Sequence, residues 1–113
     1  MRCHHLTPEF AISPQISIQD VQIIREAGFR TIICNRPNGE EANQPDSATI
    51  AKIAKESGLF FVDLPIEAGS TPSSDTIKKM QEALRTLPTP VLAYCRTGNR
   101  SAQAWNMAIQ NNS

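Results

Sequence analysis

The sequence has few cysteines, no surplus of charge and no long apolar run, and each shortage removes a class of function. Its three cysteines, at positions 3, 34 and 95, are odd in number and widely spaced. They do not form the disulfide framework that staples small secreted domains, and the expected setting is a reducing cytoplasm in which a thiol stays free. Eleven basic and eleven acidic side chains cancel to a formal charge of zero. Nucleic-acid binding needs a clustered positive surface, so no nucleic acid is expected as a partner. No apolar stretch approaches the length of a spanning helix, and Met1-Arg2-Cys3-His4-His5-Leu6 carries no secretory hydrophobic segment. No membrane partner is therefore expected. Cys3, His4 and His5 are metal-ligand types, but no second cluster completes a site, so no metal and no other cofactor is expected.

What is present is a chain of 113 residues, 40% hydrophobic, which suits one compact domain spanning residues 1–113 with a modest core. Hydrophobic periodicity supplies its organisation. Residues 9–13 predict a short strand that stops at Pro14. Ser17 is placed as an N-cap with Asp20 three positions on, and Ile18, Val21, Ile24 and Ala27 share a helical face that Gly28 ends. Phe29 to Asn35 reads as a buried strand, and the Gly-, Pro- and Asn-rich stretch 36–45 as a loop. A helix over 46–57 turns Ile50, Ile53 and Ala54 inward and stops at Gly58, and Leu59 to Ile66 is the next strand. A loop of small residues leads to a helix over 75–86 with Ile77, Met80 and Leu84 on its apolar side. After a turn bracketed by Pro88 and Pro90 come the strand Val91 to Cys95 and a last helix over 101–109. Trp105 on that helix reads as a core or edge side chain. Strands alternating with helices predict a three-layer α/β/α domain with a mainly parallel four-stranded sheet. Ligands in such folds sit beyond the carboxyl ends of the strands, where Cys95 lies.

The chemistry concentrates in Cys95-Arg96-Thr97-Gly98-Asn99-Arg100-Ser101. A thiol attacks only as its thiolate, and three features of this run favour a negative sulfur. Gly98 lets the backbone curl so that successive N–H groups point inward as an anion nest. The helix that follows adds partial positive charge at its N-terminus, and Arg96 and Arg100 supply permanent cations. The same features bind an anionic substrate. Cys95 is thus the expected nucleophile and Arg100 its anion clamp, with Arg96, Thr97, Gly98, Asn99 and Ser101 as the substrate-binding loop.

The run resembles two related signatures. Cysteine-dependent protein phosphatases carry Cys, five residues, Arg and then Ser or Thr; rhodanese sulfurtransferases carry the shorter Cys-Arg-x-Gly-x-Arg or Thr. This sequence matches the shorter pattern, with four residues between Cys95 and Arg100. Further segments, Leu6-Thr7-Pro8-Glu9-Phe10-Ala11-Ile12-Ser13-Pro14-Gln15, Gly28-Phe29-Arg30-Thr31-Ile32-Ile33 and Asn35-Arg36-Pro37-Asn38-Gly39-Glu40-Glu41, resemble the phosphatase-like domain of β-lactamase-hydrolase-like proteins. That resemblance runs from about Leu6 to Trp105 and implies a dual-specificity-phosphatase-like fold. In some members of that family the domain is fused to a persulfide-oxidising metallo-β-lactamase domain, which implies a link to sulfur metabolism and a persulfide-oxidising enzyme as partner.

Two reactions fit such a loop. In one, Cys95 takes a phosphoryl group, Arg100 grips its oxygens, and a carboxylic acid protonates the leaving alcohol. In the other, Cys95 takes a sulfane sulfur from a small anionic or persulfide donor and passes it to an acceptor thiol. The shorter loop encloses less room, and no Asp follows the strand corresponding to Leu59–Ile66, where dual-specificity phosphatases place their acid. Glu67 is the candidate substitute and Asp63, within the strand, a weaker one. On these two features sulfur transfer through a Cys95 persulfide is the favoured expectation, with hydrolysis of a phosphorylated substrate as the alternative. A silent anion-binding module is a third. Cys34 ends its own strand on the same edge and is read either as a buried apolar cysteine or, by resemblance to a lipid-phosphate phosphatase, as a redox partner of Cys95; it is also a candidate acceptor of the transferred sulfur. Arg36 either lines the substrate entrance or pairs with Glu40 or Glu41.

Overall fold

The computed structural model describes residues 1–110 of the chain. In order, the elements are β1 (His4–Thr7), β2 (Phe10–Ser13), α1 (Ile18–Glu26), β3 (Thr31–Cys34), α2 (Ser47–Glu56), β4 (Phe60–Asp63), α3 (Ser74–Thr86), β5 (Val91–Tyr94) and α4 (Asn99–Gln110). Local sequence sets most of their ends. The Ser17 hydroxyl accepts from the Asp20 N–H while the Asp20 carboxylate accepts from the Ser17 N–H, a reciprocal box that satisfies two otherwise free amide groups at the start of α1. Gly28, at φ 99°, closes the same helix in the left-handed region that side chains disfavour. Val21 and Ile24 are buried as expected, whereas Ile18 and Ala27 face solvent.

The strands form one sheet in the order β1-β2-β5-β3-β4, parallel at every pairing except β1 with β2. The sheet therefore has five strands rather than four. The added strand pairs His4 with Ile12 and Thr7 with Phe10. Its residues are exposed or half-buried, so it carries no apolar signal; hydrogen bonding to β2 across a two-residue turn makes it a strand. β3 and β5 are buried at every residue, because helices cover both faces of a parallel sheet.

Two apolar layers result. Ile32, Cys34, Leu92 and Tyr94 pack with Val21 and Ile24 of α1 and with Ile50 and Ala54 of α2. Ile33, Val91 and Ala93 pack on the other face with Ile77 and Met80 of α3 and Ala104 and Ala108 of α4. Trp105 stacks on Phe10 with ring centroids 5.6 Å apart, at the margin of the second layer. Each fully buried aliphatic side chain contributes about 1.5–3 kcal/mol, so the two layers fix the register. That register aligns Ser13, Tyr94, Cys34 and Asp63 in one row across four strands. Cys95 and Asn35 stand one residue beyond it, at the sheet's carboxyl edge. Among the described residues no helix is long and apolar enough to cross a membrane.

Candidate active site

β5 delivers Cys95 fully buried to the carboxyl edge. Two backbone bonds continue the β2–β5 contact past the strands and fix the start of the loop: Cys95 N–H donates to the Ser13 carbonyl (3.3 Å) and Gln15 N–H to the Arg96 carbonyl (3.2 Å). The chain then turns back on itself. Gly98, at φ 98°, directs its N–H at the Cys95 sulfur, 3.1 Å away. A Cβ at Gly98 would meet Ser13 and Ile12 only at ordinary contact distance, so it is the backbone angle and not crowding that requires glycine there. Thr97 Oγ1 accepts from the Asn99 N–H, and α4 begins at Asn99, two residues earlier than the sequence suggests. Arg96, Thr97 and Asn99 are exposed, whereas Ser101 is fully buried, with its hydroxyl unpartnered among the described residues.

Arg100 projects from the first turn of α4 into a polar clamp. Its Nη1 donates to Glu40 Oε2 (2.8 Å) and to the Ile66 carbonyl (2.7 Å), and its Nη2 donates to Glu40 Oε1 (2.9 Å). Glu40 Oε1 also accepts from Arg36 Nε at 2.8 Å. The bond from Arg100, aided by the one from Arg36, holds the Glu40 carboxyl down at about 2. The same Glu40 bond is the main reason that Arg100 holds its proton more firmly than usual, with Cys95 beside it adding to the effect.

Arg36 is not at the entrance. Its side chain is only 2% exposed, and it donates to Gln15, Glu40 and Glu41 at 3.0, 2.8 and 2.7 Å. A guanidinium buried this deeply is held there by its ion pairs; burial alone would make it easier to deprotonate, and bonds to the two glutamates more than reverse that. The ion-pairing expectation therefore holds, and the substrate-lining one does not. Glu41 also reaches Arg96, at 3.5 Å. Glu40 as the partner of Arg100 escaped the sequence reading. Its signal, two adjacent acids four and five residues after an arginine, pointed to Arg36 alone.

Glu67 is exposed and follows Ile66, whose carbonyl Arg100 grips. The contact brings the Glu67 loop to the flank of the clamp, beside a cleft of about 250 Å³ that Glu67, Ser70 and Thr71 help to line. Asp63 lies instead in the Cys34 row. Cys34 is buried, its Sγ donating to the Arg36 carbonyl at 3.3 Å. Burial, with Asp63 nearby, pushes its thiol up to about 11.

In fold the chain is like the protein-tyrosine and dual-specificity phosphatases. Kinase-associated phosphatase, in a form whose catalytic-site cysteine is replaced by serine, superposes with a TM-score of 0.74 at 18% identity, over 89% of this chain and 64% of its own. A candidate phosphatase from Neisseria meningitidis Z2491 superposes at 0.82 with 34% identity, over 96% of this chain and 78% of its own. The β-lactamase hydrolase-like protein of Xylella fastidiosa strain 9a5c is 31% identical over 108 residues, 96% of this chain. The model of the β-lactamase hydrolase-like protein, phosphatase-like domain, matches residues 2–112, and the chain belongs to that family. It spans about a quarter of the length of the curated relatives it matches.

Proposed function

We propose that the domain hydrolyses phosphate monoesters through a phosphocysteine at Cys95, reversing the preference for sulfur drawn from loop length and from the missing Asp. One observation carries this reading. Arg100 has five N–H donors, of which Glu40 and Ile66 occupy both on Nη1 and one on Nη2. The Nε–H and the second Nη2–H, on the adjoining edge of the plane, remain for a ligand next to Cys95. A two-donor edge matches two oxygens of a tetrahedral phosphoryl group; the outer sulfur of a persulfide makes no such paired contact, though the sulfonate oxygens of thiosulfate would. Membership of a phosphatase-like family and the phosphatase-like fold support the same choice.

In the proposed reaction the Cys95 thiolate attacks phosphorus, forming the S–P bond as the P–O bond to the alcohol breaks. Arg100 and the Gly98 N–H face the charge on the transferred group. The leaving oxygen takes a proton, and the two nearby glutamates are unequal candidates to give it. Glu40 is ionised down to about pH 2 and has no proton to donate. Glu67, exposed on the flank of the clamp, is the acid in this scheme. It then takes a proton from the water that attacks phosphocysteine, releasing inorganic phosphate and restoring the thiolate. The four-residue spacing between Cys95 and Arg100 favours a second reading, sulfur transfer through a Cys95 persulfide formed from thiosulfate or a persulfide donor, with a persulfide-oxidising enzyme as partner.

Both reactions are measured on one preparation and on Cys95→Ser: release of p-nitrophenol from its phosphate, and transfer of sulfur from thiosulfate to cyanide. The expected result is phosphate turnover that falls by about a thousandfold or more with the substitution. Sulfur transfer that depends on Cys95, without phosphate turnover, would overturn the proposal in favour of the second reading.

A further inference from the structure

The segment that carries the chain from β4 to Glu67 is pinned at both of its buried residues, Leu64 and Ile66. The Leu64 N–H donates to the Cys34 carbonyl at 2.8 Å, and the Ile66 N–H to the Asn35 carbonyl at 3.0 Å. The Leu64 carbonyl accepts from Asn35 Nδ2 at 2.9 Å, and the Ile66 carbonyl from Arg100 Nη1 at 2.7 Å. Pro65 between them has no N–H to add. Beyond Ile66 the chain leaves the sheet edge. Residues 67–71 are exposed, and the Glu67 carbonyl accepts from the Ser70 N–H in a turn.

Asn35 is central to this stem. It is fully buried one residue past β3, in register with Cys95, and its own N–H donates to the Tyr94 carbonyl at 2.7 Å. Its Oδ1 has no partner among the described residues. Burying a carboxamide with one end unpaired costs stability, and an aliphatic side chain of similar size would avoid that cost. The donor end is therefore what the fold retains, and that donor goes to Leu64. In a parallel ladder a backbone N–H of the neighbouring strand would serve the Leu64 carbonyl; here β3 has ended and a side chain takes its place.

We propose that Asn35 is a positioning residue for the acid: its bond to the Leu64 carbonyl holds the 64–66 stem so that Glu67 is presented at the flank of the Arg100 clamp. This rests on the phosphatase reading above. The stem lies between two anchors, the Asn35 amide at one end and the Arg100 guanidinium at the other. The group that gives the proton is thereby tied to the group that grips the phosphoryl oxygens. A proton donor acts only within hydrogen-bond reach of the leaving oxygen, and restraint fixed before substrate arrives need not be imposed during the reaction.

Phenyl phosphate and 2,4-dinitrophenyl phosphate separate this role from simple bracing of the fold. Phenolate leaves poorly without a proton, whereas dinitrophenolate leaves well without one. The readout is kcat/KM, which covers the step that breaks the P–O bond. The ratio of its values for the two esters, taken on one sample, does not depend on how much of the protein is folded. Asn35→Ala and the nearly isosteric Asn35→Leu are measured with Glu67 intact and again in a Glu67→Gln background. The expected result is that Glu67→Gln lowers the phenyl-to-dinitrophenyl ratio by about a hundredfold. Each Asn35 variant lowers it by about tenfold, with no further fall when Glu67 is already replaced. A ratio that the Asn35 variants leave unchanged, whatever happens to the thermal midpoint, makes Asn35 a brace and overturns the proposal. A fall of the same size in the Glu67→Gln background overturns it as well, because Asn35 then acts by another route. So does a ratio that ignores Glu67→Gln, since there is then no acid for Asn35 to place. Wild-type protein that hydrolyses neither ester sinks the phosphatase reading and this proposal with it, whereas turnover with an unmoved ratio sinks the proposal alone.

Discussion

Cys34 and Cys95 end neighbouring parallel strands, are both buried, and lie within one residue of the same row of the sheet. Their surroundings nonetheless differ. The Cys34 sulfur is a donor to a carbonyl and packs in the apolar layer beneath α1 and α2. The Cys95 sulfur is an acceptor from an N–H and has an arginine at its side. A carbonyl stabilises a thiol and an N–H stabilises a thiolate, because each is a dipole with the matching end turned toward the sulfur. One step along the chain is enough to change which end is met. Alternation puts Cys34 on the face with Tyr94, and the strand ends before Cys95, where the loop supplies amide hydrogens instead. Both sulfurs are buried, and what sets Cys95 apart is the loop N–H aimed at it and the arginine at its side.

The comparison breaks most visibly in activity. Cys95→Ser is expected to remove phosphate turnover by about a thousandfold or more, while Cys34→Ala keeps kcat within about threefold and lowers stability by about 1–2 kcal/mol, read by urea denaturation. Equal losses of activity in the two variants would erase the distinction. Mild peroxide followed by peptide mapping gives the next effect. Oxidation should collect on Cys95 and leave Cys34 a free thiol, without a disulfide between them, since the two lie on differently lined sides of the edge. A Cys34–Cys95 link would restore the redox-partner expectation.

The pH dependence of stability is smaller and differs in sign at the two places. The folded Cys34 thiol titrates above its ordinary 9.0, at about 11. Its contribution is fully present below about pH 9 and is lost as pH rises through 11. Cys34→Ala should flatten that alkaline loss. The Glu40 carboxyl titrates below its ordinary 4.5, at about 2, so its contribution is present above about pH 4.5 and is lost as pH falls toward 2. Glu40→Gln should flatten the acid loss, and denaturation midpoints across the pH range check both. The smallest effect belongs to Ser101. Ser101→Ala removes a buried hydroxyl that has no partner among the described residues, so stability should stay within about 1 kcal/mol. A fall in kcat of about threefold to tenfold would place that hydroxyl on the reacting sulfur.

Much of this was legible in the chain because it is local. The Ser17–Asp20 box, the glycines at 28 and 58, and the unbroken apolar runs of β3 and β5 mark elements through short-range chemistry. The crowding of Arg96, Gly98, Arg100 and Ser101 after Cys95 marked the loop in the same way. What was not legible depends on partners far off in sequence. β1 is a strand only because β2 is beside it, and its His-His-Leu-Thr carries no pattern of its own. The link from Glu40 to Arg100 exists only once β3 and β5 are paired, and it decides which edge of the guanidinium is free. The length of the loop is local and legible, but it says nothing of how Arg100 is turned, which depends on Glu40 and Ile66.

On the proposed function, the group that Cys95 carries during turnover is phosphoryl. Acid quenching in the steady state with an aryl phosphate, followed by mass spectrometry of the Cys95 peptide, tests it directly. The expected result is a phosphoryl adduct on the Cys95 sulfur that is absent from Cys95→Ser. An unmodified Cys95 with the phosphoryl group on another side chain would contradict it, as would a Cys95 that accumulates only persulfide when offered phosphate ester and thiosulfate together.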